Sequence, residues 1–308
     1  MFLQSFYLRT LKLGFLIFIS LQLFSQKEDR PVTVVSFPEI PQKFCDLSKK
    51  INETSGLIYW NNYIWTFNDS GGEAEIYKVD SATGEILQTI RLNNAKNTDW
   101  EDITHDENYI YIGDFGNNRG NRKDLRIYKI NKSMITDNKL VKVASEIIAF
   151  SYNDQTSFTI NNRSNNYDCE SMVSFGDSLI IFSKNWVDGK TRMYKMPKIS
   201  GMYQLDPIDS FNIKGLATGA DYNPDKNALI LIGYKDYLPF IFYFTDFDGQ
   251  QLANHKVYKV KLNKMKNAQT EGVCWYSEDI ILFSTEQTNV YNQAVFQLNL
   301  MDVVKHIE

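Results

Sequence analysis

Short apolar strands alternate with polar turns along most of the chain, and this alternation repeats five times. In each repeat a small or acidic residue precedes an apolar strand, a tight turn, a second apolar strand and an aromatic third strand. The repeats open at Ser55, Glu101, Glu170, Thr218 and Glu271, at intervals of 46, 69, 48 and 53 residues. A four-stranded propeller blade takes roughly 40–50 residues. The pattern therefore predicts an all-β fold, a β-propeller of five four-stranded blades.

A fourth strand is readable in three repeats, at 86–90, 146–150 and 257–260. The last repeat has none before the C-terminus, whereas the strand at 32–37 belongs to no repeat. We expect this N-terminal strand to complete the last blade, because closure removes the unpaired edges of the ring. The 69-residue interval leaves six blades as the alternative, although residues 161–166 are poor in strand formers.

Composition agrees with one large folded domain, which we place at residues 27–308. The chain is 43% hydrophobic and 14% aromatic, and aromatic residues favour strands. Its formal net charge is −4. A surface that coats nucleic acid is basic, so nucleic acid is not an expected partner. We expect a monomer.

Residues 1–26 have the pattern of a secretory signal peptide. Arg9 and Lys12 precede an apolar run at 13–24, and the segment ends at Ser25 and Gln26. The run is shorter than the roughly 20 residues that span a membrane. We therefore expect a secreted or periplasmic protein without stable membrane insertion after cleavage; an uncleaved anchor is the alternative.

The cysteines do not indicate a disulfide framework. Cys45, Cys169 and Cys274 make an odd number, and their spacing fits no zinc site. Cys274 lies in an apolar strand, which predicts a small core residue.

Two turn sequences carry a resemblance to known proteins. The segment 113–119, GDFGNNR, resembles the turn of NHL repeats, and 68–72, NDSGG, occupies the equivalent place in the first repeat. Over residues 50–300 the chain resembles secreted bacterial propellers, the group of NHL-repeat proteins, gluconolactonase-like calcium enzymes and esterase-like phytases. It also resembles exported bacterial propellers of unassigned function. The insertion at 120–124 departs from the NHL pattern, and the dense charged cleft of the phytases is missing, so neither activity is transferred.

In propellers of this kind the first strand of each blade lines the central channel, which would bring the five opening residues to one mouth. Glu101, Glu170 and Glu271 are the predicted metal ligands, since hard oxygen donors suit Ca²⁺. The predicted ligand-binding residues are Ser55, Asp69, Asp114, Asn118, Arg119 and Thr218. The alternative is that these side chains tie adjacent blades together, with Asn118 and Arg119 forming a turn.

Two functions remain open from the sequence. On the first hypothesis, the channel mouth binds a divalent cation, a small polar ligand such as a sugar, or a protein partner, and it catalyses no reaction. Alternatively, it is the site of a calcium-dependent lactonase, esterase or phosphoesterase. For the second hypothesis His105 or Asp221 is the candidate base, although the pattern favours a buried, hydrogen-bonded histidine as the interpretation of His105.

Overall fold

The computed structural model describes residues 31–252 and 256–304, so the predicted signal peptide lies outside the described residues. Two strands precede the first repeat, β1 (Val32–Ser36) and β2 (Gln42–Asp46). The first repeat contains β3 (Thr54–Trp60), β4 (Tyr63–Asn68), β5 (Glu75–Val79) and β6 (Ile86–Leu92). The second contains β7 (Trp100–His105), β8 (Tyr109–Asp114), β9 (Arg126–Asn131), β10 (Leu140–Val143) and β11 (Glu146–Tyr152).

The third repeat contains β12 (Asp168–Phe175), β13 (Ser178–Lys184), β14 (Thr191–Pro197), β15 (Gly201–Leu205) and β16 (Asp209–Phe211). The fourth contains β17 (Leu216–Asn223), β18 (Ala228–Lys235), β19 (Leu238–Phe244) and β20 (Val257–Lys261). The fifth contains β21 (Thr270–Trp275), β22 (Ile280–Thr285) and β23 (Ala294–Asn299), and helix α1 (Leu300–Val304) follows. Short 3₁₀ turns lie at Lys132–Met134 and Asn263–Met265.

These strands form five sheets around one axis. The first strand of each repeat is innermost, and each inner strand contacts the next around the ring, from β3 through β7, β12, β17 and β21 back to β3. This arrangement confirms the predicted five-bladed propeller. The long interval that left six blades open holds a loop at 153–167 without a strand.

An N-terminal strand closes the ring, but it is β2 and not the strand at 32–37. β2 pairs antiparallel with β23, whereas β1 pairs parallel with β20 on the outer edge of the fourth blade. The expectation that 32–37 completes the last blade is therefore wrong. The burial of Cys45 and Leu47 explains why β2 takes this position, because both lie in the apolar cluster that joins the fifth and first blades.

Three blades carry a fifth strand on their outer edge. β10 pairs parallel with β6, β15 with β11, and β1 with β20. β10 and β15 lie in the connection between the third and fourth strands of their own repeat, yet each joins the preceding blade. β1 precedes β2, the fourth strand of the fifth blade, and likewise joins the blade before it.

The core consists of apolar clusters between neighbouring blades. Between the first two blades, the rings of Phe67 and Trp100 meet edge to face at 5.5 Å. Between the third and fourth blades, Phe211 and Phe242 do so at 5.6 Å. Aromatic residues thus fill the space between blades, where such pairs add to the energy of burial.

The three cysteines are free and buried, and Cys274 is a core residue as expected. In the described part of the chain, no helix is both long and apolar enough to cross a membrane.

Candidate functional site

All five inner strands have a register irregularity at the same level. The shifts lie between Thr54 and Leu57, Trp100 and Asp102, Cys169 and Ser171, Ala217 and Gly219, and Thr270 and Val273. The five opening residues of the repeats lie within these bulges. A β-bulge interrupts the alternation of side chains and re-aims the residue that it contains.

The bulges place four opening residues, Ser55, Glu101, Glu170 and Glu271, on the wall of one small cavity at a channel mouth. Its volume is about 80 Å³, and we call it the acidic cavity. The rest of its wall consists of Asp69, Asn118, Arg163, Lys184, Trp186, Tyr234, Gln269 and Glu286. The predicted convergence of the three glutamates is therefore present in the structure.

The two hydroxyl residues of the ring bridge neighbouring blades. Ser55 Oγ donates a hydrogen bond to the carbonyl oxygen of Glu101 at 2.6 Å. Thr218 Oγ1 does the same to the carbonyl oxygen of Thr270 at 2.7 Å. The blade-tying alternative therefore describes the contacts of Ser55 and Thr218.

Glu170 has a fixed partner that the sequence analysis did not include. Lys184 Nζ lies 2.9 Å from Glu170 Oε2, and both side chains are buried, with 6% and 3% of their surface exposed. Burial by itself would lower the pKa of Lys184. The carboxylates around it outweigh that effect and hold the pKa well above its ordinary value. Glu170 is thus neutralised within the protein, which leaves Glu101 and Glu271 more available to a cation.

A tighter carboxylate group lies beside Glu101 and differs from the predicted three glutamates. Asp69, Asp99 and Glu101 each offer one oxygen, and these oxygens all lie within 4.8 Å of one another. Two oxygens bound to one Ca²⁺ at about 2.4 Å are at most about 4.8 Å apart, so the spacing suits that ion. Asp69 Oδ1 is buried without a hydrogen-bond partner among the described residues.

The pKa values of this group are raised first by burial and then by the crowding of like charges. Burial raises the pKa of Asp69 to about 8, and the nearby Asp99 and Glu271 carboxylates add to the rise. Burial and then Asp168 raise the pKa of Asp99 to about 6. For Glu101, burial followed by repulsion from Glu170 and Asp69 holds the pKa well above its usual value. A bound cation would lower all three by stabilising the charged forms.

Backbone packs directly against these oxygens at Gly116. A Cβ atom there would lie 2.0 Å from Glu101 Oε1 and 2.6 Å from Asp99 Oδ2. The Gly116 nitrogen also donates to the Asp99 carbonyl oxygen at 3.1 Å. Only glycine leaves room for the two carboxylates to stand side by side, which gives the GDFGNNR turn a role in shaping the site.

Two further carboxylates lie across the cavity. Burial raises the pKa of Glu271 to about 7 and that of Glu286 to about 9, and for Glu286 the charge of Glu271 adds to the rise. Lys184 acts in the opposite direction on both. The cavity therefore has more carboxylates than its lysine can neutralise.

The remaining predicted ligand-binding residues are placed differently from one another. Asn118 lines the acidic cavity. Asp114 is buried in an ion pair with Arg122 at 2.8 Å and accepts from the Asp99 nitrogen. Arg119 is exposed outside the cavity wall, and its carbonyl oxygen accepts from the nitrogen of Asn161. Asp114 and Arg119 thus hold the surrounding turns.

His105 and Asp221 lie at the other mouth of the channel. Both line a separate cavity of about 920 Å³. His105 is four residues beyond Glu101 on β7, which corresponds to about 13 Å along a strand. The structure therefore does not bring the candidate bases next to the predicted metal ligands.

Both residues also have structural partners. Asp221 accepts from the backbone nitrogens of Tyr222 and Trp275, each at 2.8 Å, and so ties the fourth blade to the fifth. Burial raises its pKa to about 7. His105 Nδ1 lies 3.0 Å from Lys132 Nζ, and burial followed by the lysine charge lowers the histidine pKa to about 4.

Sequence reasoning missed Asp99, Lys184 and Glu286, and a signal for two of them is present in the repeat. The second strand of each blade runs antiparallel to the first and returns to the mouth where the first began. Lys184 ends β13 opposite Asp168, and Glu286 follows Thr285, which pairs with Thr270. The residues that end the second strands therefore indicate the lining of this mouth as well as the residues that open the first strands do.

Comparison with known proteins supports the architecture. The aldose sugar dehydrogenase of Streptomyces coelicolor, solved in its PQQ-bound form, superposes with a TM-score of 0.52 at 10% identity, over 85% of this chain and 97% of that one. The fold is a β-propeller. At this identity the likeness extends to the fold alone.

Two other solved structures match with lower scores. A nidogen/laminin complex gives a TM-score of 0.46 at 13% identity, over 86% of this chain and 89% of that one. A glucose dehydrogenase gives 0.46 at 7% identity, over 82% and 98%. No family model and no curated protein matches the chain.

Proposed function

We propose that this propeller is an exported protein that binds a divalent cation, Ca²⁺, in the acidic cavity. The proposed protein ligands are Asp69 and Glu101, which line the cavity, and Asp99, whose carboxylate lies beside theirs. The observation that carries the proposal is the oxygen spacing of this group together with Asp69 Oδ1, a buried acceptor without a hydrogen-bond partner among the described residues. A buried acceptor of this kind is costly unless something binds it.

The chemistry of the donors favours Ca²⁺ over softer metals. All three ligands are carboxylates, and no histidine or cysteine of the described residues lies on the wall of the acidic cavity. Carboxylate and water oxygens suit Ca²⁺ and Mg²⁺, whereas zinc and copper sites use nitrogen or sulfur. Mg²⁺ prefers shorter bonds in a stricter octahedron and keeps its waters. We expect the site to discriminate between the two ions on that basis.

Export would place the protein where Ca²⁺ is abundant. The proposal of export depends on residues 1–26, whose sequence is typical of a signal peptide. Extracellular calcium modules work with dissociation constants of about 10⁻⁴–10⁻³ M. The resemblance to propeller groups that include calcium enzymes supports the same choice of ion.

We assign binding rather than hydrolysis to this site. The hydrolase hypothesis used His105 or Asp221 as a base, and both lie at the other mouth. Among the described residues, no histidine lies on the wall of the acidic cavity. The geometry therefore favours a calcium-bound mouth that shapes or holds a partner.

Calorimetric titration of the purified protein with CaCl₂ tests the proposal. We expect saturable binding of one ion and a higher melting temperature, because a ligand that binds only the native state stabilises it. Asp99→Asn and Asp69→Asn should each weaken binding about tenfold or more. Asp177→Asn removes the same charge from an exposed turn and should leave binding unchanged. Absence of heat, and of any shift in melting temperature with calcium or chelator, would overturn the proposal.

A further inference from the structure

The opposite mouth of the channel holds a second cavity, which is larger than the acidic cavity and different in chemistry. Its volume is about 920 Å³, within the range of about 300–1,000 Å³ that small-molecule sites occupy. The ends of the inner strands form its wall, and five aromatic side chains stand on it. They are Tyr59, Trp60, Tyr222, Trp275 and Tyr276, and we call the space the aromatic cavity.

The aromatic side chains are held in place by rings behind them. Tyr276 meets Tyr59 edge to face at 4.7 Å and Phe44 at 5.3 Å. Trp60 packs on Trp65 at 5.2 Å. All five wall aromatics are only partly buried. A ligand that stacks on such rings therefore meets preorganised apolar surface, and little side-chain entropy is lost on binding.

Three lysines also lie on the wall, and two of them are neutralised by carboxylates. Lys198 Nζ lies 2.9 Å from Asp106 Oδ2. Lys226 Nζ pairs with Asp279. Lys132 differs, since no carboxylate of the described residues lies within 4.0 Å of its ammonium group. Of the other carboxylates on the wall, Glu107, Asp225 and Glu278 are exposed, where water screens their charge. Asp221 accepts from two backbone nitrogens.

Lys132 is nevertheless fixed in position. Its Nζ lies 3.0 Å from His105 Nδ1 and 4.6 Å from the centre of the Trp60 ring. The ammonium donates to the Asp106 carbonyl oxygen and to a neutral His105, which leaves one N–H group for a ligand. Burial lowers the pKa of Lys132 to about 8, and the charge of Asp106, which acts in the opposite direction, does not offset it.

We propose that the aromatic cavity is a binding site for a uronic-acid-containing oligosaccharide of about two sugar rings. The C–H faces of sugar rings stack on aromatic side chains such as Trp60 and Tyr276. The carboxylate of the sugar pairs with Lys132, the wall lysine that forms no direct ion pair with a described carboxylate. Strand-end hydroxyls, such as that of Ser174, are hydrogen-bonding groups for the sugar hydroxyls.

Calorimetry with two matched sugars tests this assignment. The probes are α-1,4-linked digalacturonate and the corresponding neutral digalactose. We expect the acidic disaccharide to bind about tenfold more tightly, which is the contribution of one charge-assisted hydrogen bond. Lys132→Met should abolish this difference and leave the affinity for the neutral sugar unchanged.

Three further variants distinguish sugar binding in the aromatic cavity from other effects of a substitution. Trp60→Ala should weaken binding of both sugars. Lys190→Met removes a positive charge from an exposed position at the other mouth and should change neither affinity. Asp99→Asn should also leave sugar binding intact, so the result is independent of the calcium proposal. Each variant is checked for an unchanged circular dichroism spectrum.

Two outcomes would overturn the assignment. One is a failure of both sugars to bind the wild-type protein. The other is binding of the acidic sugar that Lys132→Met does not weaken.

Discussion

Oδ2 of Asp102, on the inner strand of the second blade, accepts a hydrogen bond from the backbone nitrogen of Met172 on the third blade at 2.7 Å. The same oxygen accepts from Ala220 of the fourth blade at 3.3 Å, while Oδ1 accepts from Ile103. One fully buried carboxyl group thus joins three blades at the channel axis.

Asp102→Asn should destabilise the fold because an amide group then faces a backbone N–H. Leaving a buried donor unsatisfied costs about 1–3 kcal/mol. Asp221 joins only two blades, so Asp221→Asn should cost less. Urea unfolding measures both, with the exposed Asp177→Asn as control. Equal losses in Asp102→Asn and Asp221→Asn would contradict this ranking.

The Lys184–Glu170 pair should matter for both stability and calcium. Lys184→Met leaves a buried carboxylate without its partner, and such changes cost about 3–5 kcal/mol. The double variant Lys184→Met/Glu170→Gln should recover part of this loss. Because the lysine charge opposes a cation in the same cavity, calcium should raise the melting temperature of Lys184→Met more than that of the wild type. A smaller rise would show that the lysine supports cation binding.

Stability in chelator should fall as the pH rises, and Glu286 should contribute to the fall. Its folded pKa of about 9 exceeds its ordinary value of 4.5, so between these values the native state holds a proton that the unfolded chain has lost. Raising the pH through this window therefore favours unfolding. Melting temperatures from pH 5 to 9 should decline less steeply for Glu286→Gln. Parallel curves would exclude a raised pKa at this residue.

Gly116→Ala should weaken calcium binding without touching a ligand. The added methyl group would need the space of Glu101 Oε1, and so would push the two carboxylates apart. We expect a loss of affinity of about tenfold or more, since ligand spacing decides calcium coordination. Gly72→Ala is the matched control, because a Cβ there meets nothing within 4 Å. Equal calcium affinity in the two variants would show that Gly116 does not shape the calcium site.

Two N-terminal truncations should separate the roles of β1 and β2. Removal of residues 1–39 deletes β1, whose side chains are partly or fully exposed, and should leave a folded monomer of lower melting temperature. Removal of residues 1–47 also deletes β2 with the buried Cys45 and Leu47, and should prevent ring closure. Size-exclusion chromatography and circular dichroism distinguish these results. A folded protein without β2 would contradict the closure assignment.

Apolar periodicity made most of the fold predictable. Strand β13 reads as a continuous apolar run because both of its faces are covered by neighbouring blades. β2 escaped detection because only Phe44 and Cys45 are apolar in it, and its partner β23 lies at the other end of the chain. β16 has only three residues, too few for a period.

The site was predictable only in part. The in-register opening residues identified the mouth, since the bulges repeat with the blades. The Glu170 ion pair could not be predicted, because Lys184 reaches the mouth through strand pairing and not through sequence proximity. The same limit applies to His105, whose strand position looked close to Glu101 although the two residues lie toward opposite ends of β7.

The fifth strands β10, β15 and β1 have a consequence for how such a protein can evolve. Each reaches across to the blade before it, so the boundaries of the sequence repeat and of the folded sheet do not coincide. Deleting the second repeat, for example, would remove β10 from the outer edge of the first blade and leave β15 without β11 as its partner. Blades of this protein are therefore not interchangeable cassettes, and changes in blade number would require at least two neighbouring repeats to change together.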